Sequence, residues 1–254
     1  MIDQKIVILI AVRLKSVRLK EKAMLNLFDK PLILKLVDRM KQSKLVRDVI
    51  LCTSTNSQDD QIEILAKKNN IEIFRGDELD VMSRFITVGI KKKARIIIRV
   101  TGDNPLTDFE LMDQMIYDHI KNNAEYTFTE SVPHGTRSEV INLDTLIRCH
   151  DLIQDKSATE FMTWMLNRPD YFRVNNYVSE NNNINRPDIS LTVDTKNDYK
   201  LVSQIFNHFK GKPPNLKKII EYYDSMSERY KRKISDKHLI DSKYKINTKF
   251  ISDE

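Results

Sequence analysis

The chain has 254 residues, 41% hydrophobic and 31% charged, which is typical of a globular protein and too apolar for a disordered one. Its formal net charge is +6, no apolar run approaches the ~20 residues needed to cross a bilayer, and the two cysteines, Cys52 and Cys149, have no metal-ligand spacing. These features argue against a membrane-spanning protein and against a disulfide scaffold, and they favour a protein of the reducing cytoplasm.

The first half of the chain alternates between two periodicities. Apolar runs of strand length are separated by stretches whose apolar residues recur at helical spacing. The N-terminal run is flanked by charges and lacks the layout of a cleavable signal peptide, so we expect it to be a core strand. Strands are predicted at 5–12, 48–53, 71–74 and 95–100, and helices at 31–43, 59–68, 81–92 and 109–122.

The second half is less regular. Strands are predicted at 126–129 and 189–193, an extended segment at 172–178, and helices at 145–154, 158–166 and 196–209. Pro213 and Pro214 then interrupt the chain before a last helical segment to about 233. We therefore expect a main domain at 1–212 and a helical basic extension at 213–254. No aromatic residues alternate with the charges of this extension, so we expect a solvated surface and no nucleic-acid partner.

Strand–helix alternation of this kind predicts an α/β fold with a mostly parallel sheet covered on both faces. In such sheets, ligands bind beyond the carboxyl ends of the strands. Polar clusters follow three of the predicted strands, at 13–22, 53–57 and 101–108. The sequence therefore places a candidate site at this edge of the sheet.

The cluster after the first strand is strongly basic. Arginine offers a fork of donors to phosphate oxygens and lysine offers a point charge, so such a loop could hold a polyphosphate. It contains no glycine and is not a Walker loop. By charge alone, a basic surface loop is an equally good interpretation. The polar members are Arg13, Lys15, Ser16, Arg18, Lys20 and Lys22.

Two carboxylates, Asp103 and Asp194, each follow an apolar run. Taken separately, Asp103 reads as part of a Gly-Asp turn and Asp194 as a helix N-cap, and these readings are the commoner ones. Taken together, two carboxylates at strand ends could hold Mg²⁺, which commonly takes one or two carboxylates plus substrate phosphates and waters.

The motifs become specific when they are considered together. The stretch 11–22 resembles the Ala-Arg-x-x-Ser-x-Arg-Leu-Pro-Gly-Lys signature of the CMP-sugar synthetases. Within this family, the chain most resembles the branch that contains spore coat polysaccharide protein F, a homologue of 3-deoxy-manno-octulosonate (KDO) cytidylyltransferase. Further matches to this branch are Lys30-Pro-Leu-Ile33, Asp80-Val-Met-Ser-Arg84-Phe85, Arg99–Leu106, Pro133–Val140 and Thr192–Asp198. They keep their order over about 5–210, so the chain is identified as similar to these cytidylyltransferases.

The chain departs from the family pattern at two places. The Pro-Gly before the signature lysine is Lys20-Glu21 here, which bears on the backbone shape of the basic loop. A Glu-His-Val-Thr element is Glu160-Phe161-Met162-Thr163 here and has lost its histidine, which bears on the acceptor.

The resemblance implies a three-layer α/β/α nucleotide-diphospho-sugar transferase fold. It also implies transfer of CMP from CTP to an acidic sugar or related small anion, with Mg²⁺, for surface polysaccharide or glycoconjugate biosynthesis. Arg13, Ser16 and Arg18 would hold the CTP phosphates, and Lys22 would stabilise the α-phosphoryl group. Asp103 and Asp194 would bind Mg²⁺, and Asp80 and Arg84 would shape the base or acceptor side. The residues implied for the acceptor are Arg137, Glu139 and Glu160.

Other interpretations remain open at the level of sequence. A glycosyltransferase of the same fold would usually carry an Asp-x-Asp motif, which Gly102-Asp103-Asn104 lacks. A non-catalytic sugar-nucleotide binding module is a second alternative, supported by the changed residues at 20, 21 and 161. The acceptor could also be a phosphate or phosphonate rather than a sugar acid. By the resemblance, we expect a homodimer built through an insertion around 130–190.

Overall fold

The computed structural model describes residues 4–16, 18–227 and 250. The strands are β1 Ile6–Ala11, β2 Asn26–Leu27, β3 Lys30–Pro31, β4 Asp48–Ser54, β5 Glu72–Gly76, β6 Ile96–Thr101, β7 Tyr126–Phe128, β8 Glu139–Asn142 and β9 Val174–Asn176. The helices are α1 Leu32–Met40, α2 Asp60–Lys68, α3 Val81–Lys92, α4 Phe109–Lys121, α5 Leu143–Leu152, α6 Met162–Leu166, α7 Lys196–His208 and α8 Leu216–Ser225. Short 3-10 segments lie at Lys22–Met24, Ser57–Asp59, Lys156–Phe161 and Asn182–Ile184.

Seven of the strands form one mixed sheet in the order β5-β4-β1-β6-β8-β7-β9. The first four run parallel to one another, β8 is antiparallel to β6, and β7 is antiparallel to β8. The edge strand β9 pairs with β7 in parallel. The predicted mostly parallel α/β sheet is therefore confirmed.

Helices cover both faces of this sheet, as residue alternation in β1 illustrates. Ile6, Ile8 and Ile10 face one apolar core, which also receives α1, α4, α7 and α8. Val7 and Leu9 face a second core, which receives α3, α5 and α6. Because both faces of β1 are buried, its sequence is a continuous apolar run, as is usual for a parallel strand under two helical layers.

Several segments differ from the predictions, among them the short hairpin of β2 and β3, which was not predicted. The predicted strand at 189–193 is wrong as a regular strand: only Ser190 forms a β-bridge, with His134. Its backbone is bonded to loops instead, since Leu191 N–H donates to the His134 carbonyl and Val193 N–H donates to the Asp103 carbonyl. The helix predicted at 158–166 is a 3-10 segment followed by the short α6, and strand β8 was not predicted.

The segment after the two prolines packs on the main body. Leu216, Ile219 and Tyr223 of α8 are buried in the same core as β1. Asp108 accepts from the Leu216 backbone N–H at 2.8 Å, and Arg39 donates to the Pro213 carbonyl at 2.5 Å. The helical extension predicted to 233 lies outside the described residues beyond 227. Among the residues that are described, no helix has the length and apolar character needed to span a bilayer.

Candidate active site

The carboxyl ends of β1 and β6 meet at one edge of the sheet and position the loops that follow them. Gly102 N–H donates to the Ala11 carbonyl at 2.8 Å, which ties the loop after β6 to the end of β1. A Cβ atom at Gly102 would lie 2.8 Å from the Val12 Cβ, so glycine is required for this close approach. The next residue, Asp103, is thereby held beside the basic loop.

Asp194 reaches the same point from a distant part of the chain. The Val193 N–H bond to the Asp103 carbonyl measures 3.0 Å and joins the two carboxylate-bearing segments through their backbones. Thr195 and Asp198 form a capping box at the start of α7, and the Asp198 carboxylate also accepts from the Asp194 N–H. The capping role proposed for Asp194 thus belongs to Thr195, which leaves the Asp194 side chain directed at the loop.

Lys22 lies between the two carboxylates. Its Nζ is 2.9 Å from Asp103 Oδ2 and 2.8 Å from Asp194 Oδ1, and its side chain is only 15% exposed. Arg18 adds a second cation at 3.2 Å from Asp194 Oδ2 and is largely exposed. Asp103 and Asp194 lie 81 and 172 positions from Lys22 in the sequence, and all three side chains converge on one point.

The electrostatics of Lys22 follow from this geometry. Burial disfavours its charged form, but the nearby charges of Asp103 and Asp194, with the hydrogen bonds that they accept, outweigh burial and raise the pKa of Lys22 above its usual value. The ammonium is therefore charged throughout the neutral pH range. The cluster holds one buried cation against two carboxylates, with Arg18 at its solvent side.

The two carboxylates suit a divalent metal whose other ligands are water or substrate oxygens. Within residues 4–16, 18–227 and 250, no group of three or more His, Cys, Asp or Glu side chains could hold a metal ion. Mg²⁺ usually takes one or two carboxylates and completes its octahedron with phosphate oxygens and water. A cation already lies between Asp103 and Asp194, so the donor set fits a metal that arrives with a phosphorylated ligand.

The basic loop is held by a buried carboxylate that the sequence did not single out. Asp59 accepts hydrogen bonds from the Leu14 N–H at 2.8 Å and from the Thr53 and Ser54 hydroxyls. It is 2% exposed. The loop after β1 is thus anchored to the end of β4, because backbone donors in a loop need partners when they are buried.

Farther along the same loop, Glu21 takes a left-handed conformation with φ 50° and ψ 31°. This is the position at which the family signature has glycine, the residue that adopts such angles without steric cost. In this chain a glutamate therefore takes, just before Lys22, a backbone conformation that glycine adopts at lower cost.

A series of polar contacts connects Arg13 in the basic loop to Glu139 at the start of β8. Arg13 Nη2 lies 2.5 Å from Glu160 Oε2, and Arg99 Nη2 donates to the Glu160 carbonyl at 3.1 Å. Arg99 Nη1 then pairs with Glu139 Oε1 at 2.8 Å, and the Thr163 hydroxyl donates to the same oxygen at 2.5 Å. Glu160 and Thr163, the ends of the altered Glu-Phe-Met-Thr element, thus both take part in this series of contacts.

A pocket of about 230 Å³ opens beside the Glu139 end of this series of contacts. Arg99, Asn104, Arg137, Ser138, Glu139 and Thr163 are among the residues that line it. Arg137 donates one guanidinium N–H to the Thr129 carbonyl at 2.9 Å. Within the part of the chain that the structure describes, the buried Ser138 hydroxyl and Asn104 Oδ1 have no hydrogen-bond partner. Because Asn104 follows Asp103 directly, the pocket adjoins the Lys22 cluster.

Asp80 and Arg84 do not join the Lys22 cluster; they contact the start of α3 and the end of β4. Asp80 caps α3 by accepting from Ser83 N–H, and it also accepts from the Thr159 hydroxyl and contacts His150 Nε2 at 2.7 Å. Arg84 is buried and donates to the Cys52 carbonyl, which also accepts from Val12 N–H. Burial lowers the pKa of Arg84, and the nearby Arg13 charge lowers it further.

The structure thus brings most of the predicted residues to one edge of the sheet. Lys22, Asp103, Asp194 and Arg18 form the cluster, whereas Arg13 pairs with Glu160 at the opposite side of the basic loop. Ser16 is partly buried in that loop. None of Asp59, Asn104, Thr163 and Arg99 was named as a site residue from the sequence. Arg99 and Asn104 were quoted only within the motif Arg99–Leu106 and Thr163 only within the element 160–163, and these motifs were the signals that could have indicated them.

Comparisons with known proteins agree with this geometry. A family model described as cytidylyltransferase matches residues 7–225. The spore coat polysaccharide biosynthesis protein SpsF of Bacillus subtilis is 31% identical over 214 residues, covering 82% of this chain and 89% of that protein. The chain therefore belongs to the cytidylyltransferase family and is a nucleotidyltransferase.

Solved structures show the same architecture. A cytidylyltransferase from Leptospira borgpetersenii superimposes with a TM-score of 0.81 at 26% identity, covering 87% of this chain and 94% of that one. A CMP-2-keto-3-deoxy-manno-octonic acid synthetase, solved in complex with CTP, has a TM-score of 0.63 at 16% identity, covering 81% and 99%. The latter likeness concerns the fold alone.

Proposed function

We propose that this protein transfers CMP from CTP to a small acidic acceptor, a sugar acid or a related anion, and releases diphosphate. The observation that carries the proposal is the convergence of Lys22 with Asp103 and Asp194, at 2.9 and 2.8 Å, beside a basic loop. Membership of the cytidylyltransferase family supports the choice of CTP. The relatives of known role support a place in surface polysaccharide or glycoconjugate biosynthesis.

In the proposed reaction, an acceptor oxygen attacks the α-phosphorus of CTP. A bond forms between that oxygen and phosphorus, the bond to the β-phosphate oxygen breaks, and diphosphate leaves with its electron pair while the acceptor proton passes to solvent. Negative charge on the phosphoryl oxygens increases in the transition state, so fixed cations accelerate the reaction. Arg13, Ser16 and Arg18 bind the phosphates, and Lys22 stabilises the α-phosphoryl group.

Asp103 and Asp194 are the proposed ligands of Mg²⁺. When bound, Mg²⁺ would neutralise phosphate charge and lower the proton affinity of the attacking oxygen. The protein's own part is to hold two carboxylates at one point through the backbone bond from Val193 to Asp103. Asp80 and Arg84 act as positioning residues for the basic loop, through α3 and the Cys52 carbonyl.

The acceptor is assigned to the pocket beside Asn104. Arg137 would hold the acid group, and Glu139, aligned by Arg99 and Thr163, would accept hydrogen bonds from acceptor hydroxyls. Glu160 joins this pocket to the nucleotide loop through Arg13. The pocket carries Arg99 and Arg137 against Glu130 and Glu139, and this balance favours a singly charged acid over a phosphate or phosphonate.

Diphosphate release tests the proposal. The enzyme is incubated with Mg²⁺, with each of the four ribonucleoside triphosphates in turn, and with a panel of sugar acids, sugar phosphates and phosphonates. We expect release with CTP and with a sugar acid only. Release with a phosphonate would keep the cytidylyl transfer but change the acceptor class. Hydrolysis of a finished nucleotide sugar, with no release from any triphosphate, would favour a glycosyltransferase instead.

Two further properties belong to the proposal. The fold and family support a homodimer built through 130–190, which sedimentation velocity would test. They also support action in the cytoplasm, which fractionation of cells expressing the tagged protein would test.

A further inference from the structure

The Lys22 ammonium lies where a metal held by Asp103 and Asp194 would have to bind. We infer that Lys22 is the resident cation of this carboxylate pair in the free enzyme, and that a divalent metal enters only as Lys22 leaves. The inference rests on the metal ligands of the proposed function and adds a competition between the metal and one side chain of the protein.

The geometry leaves no room for both cations between the same oxygens. Lys22 Nζ contacts one oxygen of each carboxylate, Asp103 Oδ2 and Asp194 Oδ1, within hydrogen-bond distance. Mg²⁺ needs its oxygen ligands at about 2.0–2.1 Å, so an ion shared by these oxygens would occupy the space of the ammonium. The second oxygen of Asp194 is already paired with Arg18 at 3.2 Å.

The surroundings make the lysine an effective competitor. The Lys22 and Asp194 side chains are 15% and 13% exposed, so both carboxylate contacts form where solvent screens them little. The lysine is also tethered by the 3-10 turn Lys22–Met24, which gives it a high effective concentration at the pair. A free metal ion must therefore displace a preformed, charge-assisted interaction.

The consequence is an order of binding. Phosphates placed along the basic loop would offer Lys22 new acceptors and would bring oxygen ligands for the metal at the same time. Metal and nucleotide should therefore bind far better together than either does alone, because each removes the competitor of the other. Lys22 would exchange its carboxylate partners for phosphate oxygens. It would then contact the α-phosphoryl group, on which negative charge increases during transfer.

Mn²⁺ binding without nucleotide tests the competition directly. Free Mn²⁺ is measured by electron paramagnetic resonance during titration of the wild type, Lys22→Gln and Lys20→Gln. Lys20→Gln is the matched control, because it removes the same charge from an exposed lysine two positions away. We expect Lys22→Gln to bind Mn²⁺ roughly tenfold more tightly than the wild type, and Lys20→Gln to change affinity by less than about twofold.

A second readout needs no variant. Acetylation of Lys22 by a limiting amount of acetylating reagent, followed by mass spectrometry of peptides, reports whether the ammonium is held. We expect Lys22 to be protected in metal-free wild type and to be labelled at least about threefold faster at saturating Mn²⁺, with Lys20 unchanged. This measurement decides the matter even if Lys22→Gln fails to fold in a thermal melt.

The outcomes separate this inference from the proposed function. Equal tightening in Lys22→Gln and Lys20→Gln, or Lys22 labelling that is unchanged or slower with Mn²⁺, would overturn the competition. Mn²⁺ binding to none of the proteins would overturn both the metal ligands and the competition. A failure of CTP-dependent diphosphate release, with the Mn²⁺ results as expected, would reject the proposed reaction and leave the competition standing.

Discussion

The parallel region of the sheet, β5-β4-β1-β6, and the mixed region that follows, β8-β7-β9, are built in different ways. In the parallel region, β1 is in register with β4 over five residue pairs and with β6 over six. In the mixed region, β7 pairs with β8 over two residues and with β9 over three. The first region is a continuous ladder, whereas the second consists of short pairings.

In the mixed region, side-chain hydrogen bonds add to the few backbone hydrogen bonds between the strands. The buried His119 contacts the Thr127 hydroxyl at 2.8 Å and Asn142 Oδ1 at 3.0 Å, and the Asn142 side chain donates to the Ala124 carbonyl. Burial lowers the pKa of His119, so it stays neutral in this network. Arg99 and Thr163 align Glu139 in the same manner. The comparison indicates that the proposed nucleotide side of the site rests on backbone ladders, with the Asp59 side chain fixing its loop, whereas the proposed acceptor side rests on short pairings and side-chain contacts.

The carboxylate pair joins the parallel ladder, which Asp103 follows, to the irregular segment at 189–193, which Asp194 follows. Its removal should have the largest effect. We expect Asp103→Asn and Asp194→Asn each to lower kcat for diphosphate release by about 10²–10³-fold, because each removes a proposed metal ligand at the developing charge. Steady-state assays at saturating Mg²⁺ measure this effect.

Asp38→Asn is the control for this pair. Asp38 forms an exposed ion pair with Lys30 and should retain full activity. Near wild-type rates in both active-site variants would reject the metal ligands. A large effect from Asp103→Asn with little effect from Asp194→Asn would mean that only the carboxylate after the parallel ladder is needed for the reaction.

The same contrast explains what the sequence could and could not predict. The ladder was predictable because apolar runs buried on both faces, such as 6–11, alternate with amphipathic helices of distinct period. Helix α3 was predicted at its observed ends, Val81–Lys92, because its apolar residues recur at helical spacing. Gly102-Asp103 was indicated by its place after a strand.

Strand β8 and the segment at 189–193 could not be predicted by these rules, for physical reasons. Strand β8 contains Glu139 and follows a Pro-His-Gly loop, so its short, partly polar run gave no clear alternation. The run at 189–193 is apolar because it is buried, but its hydrogen bonds go to the loops at 103 and 134, which no local pattern reveals. The role of Asp59 and the pairing of Arg13 with Glu160 depend on contacts 45 and 147 residues apart.

A smaller effect should separate the two sides kinetically. Arg18 is mostly exposed beside Asp194, on the proposed nucleotide side, and Arg137 lines the pocket proposed for the acceptor. We expect Arg18→Gln to raise the KM for CTP by roughly tenfold with little change in the KM for the acceptor, and Arg137→Gln to do the reverse, because each removes a charged contact to one substrate. Initial rates with each substrate varied in turn measure the split.

Arg47→Gln removes an exposed arginine away from the site and should leave both KM values unchanged. If either active-site variant raises both KM values equally, the two sides are not independent. The contact chain from Arg13 through Glu160 to Glu139 would then be the physical connection between them.

The smallest effect concerns the turn at Glu21 in the basic loop. Glu21 has φ 50°, a conformation that costs a residue with a Cβ about 1–2 kcal/mol. Substitution by glycine removes this cost, but it also increases the conformational entropy of the unfolded chain, which offsets part of the stabilisation. We expect Glu21→Gly to raise the free energy of unfolding by up to about 1 kcal/mol in urea titrations, with the KM for CTP within about twofold of wild type. Lys93, with φ 53° at the end of α3, provides the matched control, since Lys93→Gly should stabilise similarly without touching the site. Destabilisation by Glu21→Gly alone would mean that the glutamate side chain, rather than the backbone turn, holds Lys22 in place, and the nucleotide side would then depend on side chains as the acceptor side does.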